Sequence, residues 1–383
     1  MLYGPDADTP QSYKRAVVIS SGSQVTFESI DFVHAGLEIK GSTTSLTLKN
    51  VLFSKMQGLS AVGGDNYGSA INAHTGSTVH LQVVSILKSS SQYGGAVSLR
   101  GSSTLHLCGL TAQSNTASDS GGAMFVESST VHLESGDTCA QMTYIGNNRA
   151  TAYGGGMYIT GDSTLNGNSL LNITKNTAGT GGGGIAAMGH SHSVTVKGNA
   201  MQLVGNEASK PNGQGGATFQ PGGGILVTGE NGVSSFRHLI LSGNVGSRGG
   251  GMMVDQGATV DFNSVTVELG MAHASGGGVH VHNSSLFLMD TTLQHNKVTP
   301  LTLTSLTLTL KSLTLTSLTL TLTSLTLTLT LTSLTLTSLT LPRPLRMAVV
   351  SPPSMVVCLF KTVRWPPTQH RGMGVRYMYR RPI

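Results

Sequence analysis

Three histidines at equal spacing, His80, His106 and His132, are the residues of this chain best placed to do chemistry. Each stands between two apolar residues of a short alternating stretch: Val79-His80-Leu81, Leu105-His106-Leu107 and Val131-His132-Leu133, with both steps 26 residues long. If these stretches are parallel strands stacked in register, the imidazoles point outward and recur at the ~4.8 Å spacing of neighbouring strands. Imidazole is the commonest transition-metal ligand, so this row is the one place where the sequence offers candidate metal ligands. The plainer reading is a solvent-facing ladder whose members discourage each other's protonation. No carboxylate or cysteine falls in register with the row, and later repeats are read as placing Asn166, Thr195 and Asp261 there. On that reading the chain holds no metal and no cofactor. His280 and His282 are a second, weaker pair.

Stacked strands require a repeat, and the sequence has one. Glycine runs start at residues 94, 121, 154, 181, 222, 249 and 276; four of the six steps are 27 residues, the others 33 and 41. A fixed period of this length is the mark of a repeat architecture. Apolar stretches follow the glycines, as in Ala96-Val97-Ser98-Leu99, Met124-Phe125-Val126 and Met252-Met253-Val254. A second stretch opens behind Ser or Thr, as in Ser103-Thr104-Leu105-His106-Leu107. Two period-2 stretches per repeat, with no helix-length pattern between them, predict an all-β chain. Neither strand can bury its apolar face alone, whereas stacked coils share one continuous core. Glycine suits the corners, where a Cβ would clash. Ahead of the glycines recurs an apolar residue, two variable residues and Asn: Tyr144 to Asn147, Ile173 to Asn176, Leu203 to Asn206, Leu241 to Asn244 and Leu293 to Asn296. Asn tolerates left-handed turns, and aligned amides in successive coils can form a hydrogen-bonded ladder.

Gly94-Gly95-Ala96-Val97, with Gly121-Gly122-Ala123-Met124 and Gly215-Gly216-Ala217-Thr218 as partial matches, resembles the Gly-Gly-Ala-(Ile/Leu/Val) motif of the chlamydial polymorphic outer membrane protein repeats. Similar repeats occur in large predicted surface proteins of algae and other protists. That family's companion Phe-x-x-Asn motif is degenerate here, with Leu, Ile or Tyr for Phe. The resemblance covers roughly residues 20–297 and implies a right-handed parallel β-helix of the pectin-lyase-like kind, used as a cell-surface passenger for adhesion or display. Family members carry a secretion signal and, in bacteria, a C-terminal β-barrel; neither is visible in this chain.

Composition divides the chain. Residues 1–297 hold 14 Lys/Arg and 17 Asp/Glu, while residues 298–383 hold 9 Lys/Arg and no acid. The repeat region is therefore mildly acidic, and nucleic-acid binding, which the overall pI of about 9.3 invites, is not expected of it. Four segments follow: a lead-in over 1–16, read as incomplete, β-helix repeats over 17–297, a low-complexity Leu/Thr/Ser tract over 298–341, and a basic, proline-containing, disordered tail over 342–383. The start has neither the basic residues nor the apolar run of a signal peptide, and no transmembrane helix is evident. Localisation at the cell surface, at the outer membrane or outside the cell is expected only if a longer protein supplies the signal. Membrane association is likewise expected only through segments absent from this chain. Among the three cysteines, Cys108 directly follows Leu107 whereas Cys139 lies six residues past Leu133. That mismatch favours two small buried residues over a disulfide, which stays open. Asn172-Ile173-Thr174 and Asn283-Ser284-Ser285 are glycosylation acceptors if a eukaryote secretes the protein.

Within the tract, residues 301–341 are Leu, Thr and six Ser apart from Lys311. Each Ser moves Leu from odd to even positions or back, which argues against a continuous strand. The segments between serines are also too short to cross a bilayer as β-strands. Alternating Leu-Thr is what a hexanucleotide repeat such as CTAACC encodes, so the tract and tail read as repeat DNA, the tail out of frame; as protein, the tract is an aggregation hazard.

Parallel β-helices host many polysaccharide lyases and hydrolases. Such sites need paired carboxylates, or several acids holding Ca²⁺ beside a basic residue. Here the acids are scattered: no Asp-Asp, Asn-x-Asp or Asp-x-Asp occurs in the repeats, and Asp6 and Asp8 lie outside them. Gly189-His190-Ser191 is only faintly like the Gly-His-Gly of pectin hydrolases. The expectation is a non-enzymatic structural or adhesive passenger, a fragment, without catalytic residues, whose partners are glycans or molecules of host or neighbouring cell surfaces. The alternative is a carbohydrate-active β-helix enzyme. Ice binding would need flat outward Thr rows in register, and outside the tract the sequence reading finds none.

Overall fold

The computed structural model describes residues 17–298 apart from 57–65, 136–138, 140, 168, 191 and 212–215, together with Leu2–Tyr3 and short strands between 306 and 348. The lead-in and the basic tail otherwise lie outside the described residues. The described chain contains no helix. It is a parallel β-helix, and among the described residues every strand pairing is parallel except one hairpin, in which Glu207–Pro211 meets Ala217–Phe219.

Three sheets run along the solenoid. Strands that follow the glycine corners, from Val17–Ile19 to Val279–Val281, form a ten-stranded sheet. The strands that open behind Ser or Thr form the widest sheet, in which Thr104–Gln113 is flanked by Thr78–Leu87 and Thr130–Leu133. A third sheet is built of shorter strands such as Thr116–Ala117 and Thr177–Ala178. Their inward residues, among them Leu37, Ile71, Val97, Leu105, Ile145, Ile185 and Phe236, pack into one continuous buried core.

The corners explain the glycines. Gly94 has φ +64°, and a Cβ there would run into the carbonyl oxygen of Val97. Consecutive coils also touch backbone to backbone at this corner, since Gly95 donates to the Gly121 carbonyl and Gly122 to that of Gly154.

The asparagine ladder exists, with Asn176, Asn206 and Asn244 where the sequence motif places them and Asn148 in place of Asn147. Asn115, Asn148, Asn176, Asn206 and Asn244 are buried, and the Nδ2 of each of the first four donates to the Oδ1 of the next at 2.9–3.0 Å. Each Nδ2 also caps a backbone carbonyl; Asn176 takes that of Ile145. Asn148 rather than Asn147 is the rung, and its apolar partner is Ile145 rather than Tyr144, because Ile145 pairs with Ile173. The left-handed position is the residue before the rung, Ser114, Asn147, Lys175, Gly205 or Gly243. The side chain that must be extended into the ladder is therefore not the one that turns the chain.

The long strands carry an internal phase change. Leu46 and Leu48 are buried, then Val51 and Phe53; Val79 and Leu81, then Val84 and Ile86. The residue at each step is left-handed, Asn50 in one coil and Val83 in the next. Short strands also occur in the Leu/Thr tract. Leu306–Leu310 pairs in parallel with the last long strand through Leu288↔Leu310, and Leu313–Leu315 pairs through Thr291↔Leu313. The strand pattern then repeats 21 residues on, Leu306↔Leu327 and Leu313↔Leu334. Among the described residues no strand of the tract runs through a serine.

Candidate functional site

The widest sheet brings His80, His106 and His132 into register. The His80 and His106 rings stack with centroids 4.5 Å apart and planes 11° from parallel; His106 and His132 stack at 5.1 Å and 17°. Thr47 precedes them in the column, and Asn166, Lys197, Ser235 and Asp261 follow. Lys197 occupies the place expected of Thr195, because Ser163 pairs with Val194 and moves the whole strand by two residues.

Thr195 instead continues an outward row formed by Thr78, Thr104, Thr130 and Thr164. The sequence reading found no such row; it emerges only once the register is fixed. It is a single column bordered by imidazoles, Asn166 and Lys197, and so does not present a flat repeating plane.

Stacking decides what the imidazoles can do. Nitrogen lone pairs lie in the ring plane, so parallel rings aim them side by side rather than at a common point. Among the described residues, no group of three or more His, Cys, Asp or Glu side chains gathers as a metal site.

A carboxylate does reach the row, from outside its register. Glu134 Oε1 lies 2.6 Å from His106 Nδ1, and the Glu134 backbone N–H donates to the Leu107 carbonyl. Cys139 is joined to Cys108, in the previous coil, by a disulfide with Cα atoms 5.1 Å apart. The expectation of two unlinked buried cysteines is thereby corrected. Sequence offset past the strand does not record which residue of the previous coil Cys139 meets. His80, Gln82, His106, Glu134 and the disulfide line a shallow cleft.

Burial holds the His80 pKa below its ordinary value, the neighbouring His106 lowers it further, and Glu134 opposes them. Below the ordinary value of 6.5 the unfolded chain therefore binds more protons at this position than the folded one. Stability then falls as pH drops from 6.5 through the folded value and is insensitive to His80 above that range. We expect His80→Gln to match the wild type in thermal midpoint at pH 7.5 and to exceed it at pH 5. A wild-type protein that gains on the variant on acidification would contradict this.

Three further carboxylates face histidines in neighbouring coils: Glu38 with His74 at 3.1 Å, Asp162 with His192 at 3.5 Å and Asp255 with His282 at 2.8 Å. Ser275 Oγ lies 3.0 Å from His280 Nδ1, the contact a nucleophile makes with its base. Asp255, however, bonds His282 instead of orienting His280, so no triad forms. Burial leads in lowering the His280 pKa, followed by the Arg248 charge and then His282.

No protein-family model, curated protein or solved structure matches the chain. Glu134 on His106, the disulfide and the Thr row were missed by sequence reasoning. For Glu134 a signal was present, since it directly follows the apolar residue that closes the His132 strand.

Proposed function

We propose that this chain is a non-enzymatic structural and adhesive solenoid of the cell-surface or outer-membrane-passenger type, as the resemblance to the polymorphic outer membrane protein repeats implies. Its partners are glycans or other molecules of a neighbouring cell surface, held along a lateral face rather than in a pocket. The observation that carries this reading is the distribution of its acids. The four carboxylates that face histidines each stand singly, where glycoside hydrolysis needs two carboxylates flanking one bond. The Cys108–Cys139 disulfide supports an oxidising destination, as surface and secreted proteins have.

The test is to incubate the full chain with polygalacturonate and related glycans, and separately with whole cells. Saturable binding without release of new reducing ends or unsaturated products is the expected result. Turnover of any of these glycans would replace this reading with a carbohydrate-active enzyme.

A further inference from the structure

The outer face of the ten-stranded sheet carries a second cluster, away from the histidine row. Lys40 and His74 are in register on consecutive strands, and Arg100 follows on the next, one residue past the Leu99↔Ala73 pair. Two residues earlier in the same strands stand Glu38, Asn72 and Ser98. The Glu38 carboxylate is already bonded to His74 Nε2. Asn72 and Ser98 are both buried, yet Asn72 Oδ1 and Ser98 Oγ have no hydrogen-bond partner, and neither has Arg100 Nε.

Buried polar atoms without partners are rare because each costs about 1–3 kcal/mol. Three of them on adjacent residues mark a place where a polar partner belongs. The chemistry of that partner can be read from the atoms. Asn72 Oδ1 requires a donor, Ser98 Oγ takes either role, and Arg100 Nε requires an acceptor. The Arg100 guanidinium lies flat on the Tyr67 ring, 3.4 Å from its centroid. Turned off that ring, the guanidinium offers its planar N–H fork to a carboxylate, which it matches in geometry. Tyr67 and Tyr93 stack beside it and Phe125 packs tilted against both, at centroid distances of 5.1–5.8 Å, and the three supply an apolar wall. Two strands away, roughly 10 Å along the axis at ~4.8 Å per strand, exposed Lys40 offers a second positive charge.

The geometry points to a binding site for a carboxylate-bearing polysaccharide, a uronate chain laid along the solenoid axis. One carboxylate engages Arg100, sugar hydroxyls donate to Asn72 and exchange with Ser98, and a later carboxylate meets Lys40. The Arg100 side chain turns from Tyr67 toward the ligand as it binds, which opens the buried oxygens. This rests on the adhesive reading above and names its site and ligand class.

The test is titration of the full chain with polygalacturonate fragments, with a neutral glucan and a sulfated polysaccharide as comparison probes. Arg100→Gln is expected to weaken polygalacturonate binding about tenfold or more. Arg100→Lys should recover only part of the loss, because an ammonium lacks the fork. Binding should fall with added salt, and the neutral glucan should not bind. Circular dichroism and thermal midpoints establish that the variants fold, and the contrast between Arg100→Lys and Arg100→Gln separates recognition from stability. Wild-type failure to bind polygalacturonate, or Arg100→Gln binding within twofold of wild type, overturns the site. Tighter binding of the sulfated polysaccharide overturns the carboxylate assignment. The adhesive reading survives these outcomes if the chain still binds whole cells saturably, and falls with the site if it does not.

Discussion

Gly155→Ala is expected to abolish folding of the central coils, whereas Gly243→Ala should leave the protein intact. A Cβ on Gly155 would come closer than 3 Å to the carbonyl oxygen of Gly183 and to the backbone of Thr177, both in the following coil. Neither obstacle is a side chain that can rotate. The Gly155 N–H is also bonded to the Gly182 carbonyl at 3.1 Å, so the coils cannot separate without losing the sheet. The loss should exceed about 4 kcal/mol, in the range reserved for a named structural failure. Gly243 has φ +62°, and nothing lies within 4 Å of the place an added methyl would take. Its column holds Ser114 and Lys175 at φ +58° and +53°, so side chains already live there. Alanine at 243 should cost about 1 kcal/mol of left-handed strain. Soluble yield and thermal midpoint distinguish the two. A Gly155→Ala protein with the wild-type midpoint would mean the glycine corners are not what holds the coils at their spacing.

The difference between those two glycines is what the sequence conveys and what it withholds. Periodic glycines and period-2 apolar stretches are local signals, and they suffice to read parallel coils, the strands behind the corners and the outward histidine row. Register between coils of unequal length is not local. Two adjacent asparagines at 147 and 148 look alike until the Ile145↔Ile173 pairing decides which one faces the ladder. Thr195 and Lys197 differ in the same way, decided by Ser163↔Val194. The candidate sites follow this division. The histidine column is legible because its spacing is constant, whereas Glu134 and Cys139 meet the previous coil from outside that register, which no spacing records. The Arg100 site is illegible for another reason: it depends on which buried oxygens lack partners, and a sequence does not show bonds that are missing.

Asn176→Ala should be among the most damaging changes that keep the backbone path free of clashes. Its Nδ2 donates to the Ile145 carbonyl and to Asn206 Oδ1, both at 3.0 Å, and its Oδ1 accepts from Asn148 N and Nδ2, both at 2.9 Å. Alanine removes all four bonds and leaves the Asn148 N–H and the Ile145 carbonyl buried without these partners. At about 1 kcal/mol per bond, more where a buried group is orphaned, the expected loss is about 4 kcal/mol. Because each rung both donates and accepts, the damage should spread to the coils of Asn148 and Asn206 rather than stay local. In a solenoid, stability is a sum of coil and interface contributions, so a single unfolding midpoint understates a local opening. Amide hydrogen exchange is the better measurement, with protection falling first around Ile145, Ile173 and Leu203. The exposed neighbour Asn147 provides the control. Asn147→Ala should cost no more than about 1 kcal/mol, and Asn148→Ala should resemble Asn176→Ala. Equal effects at 147 and 148 would place the rung at neither, and the ladder would then be a consequence of the stacked coils rather than one of the forces that stacks them.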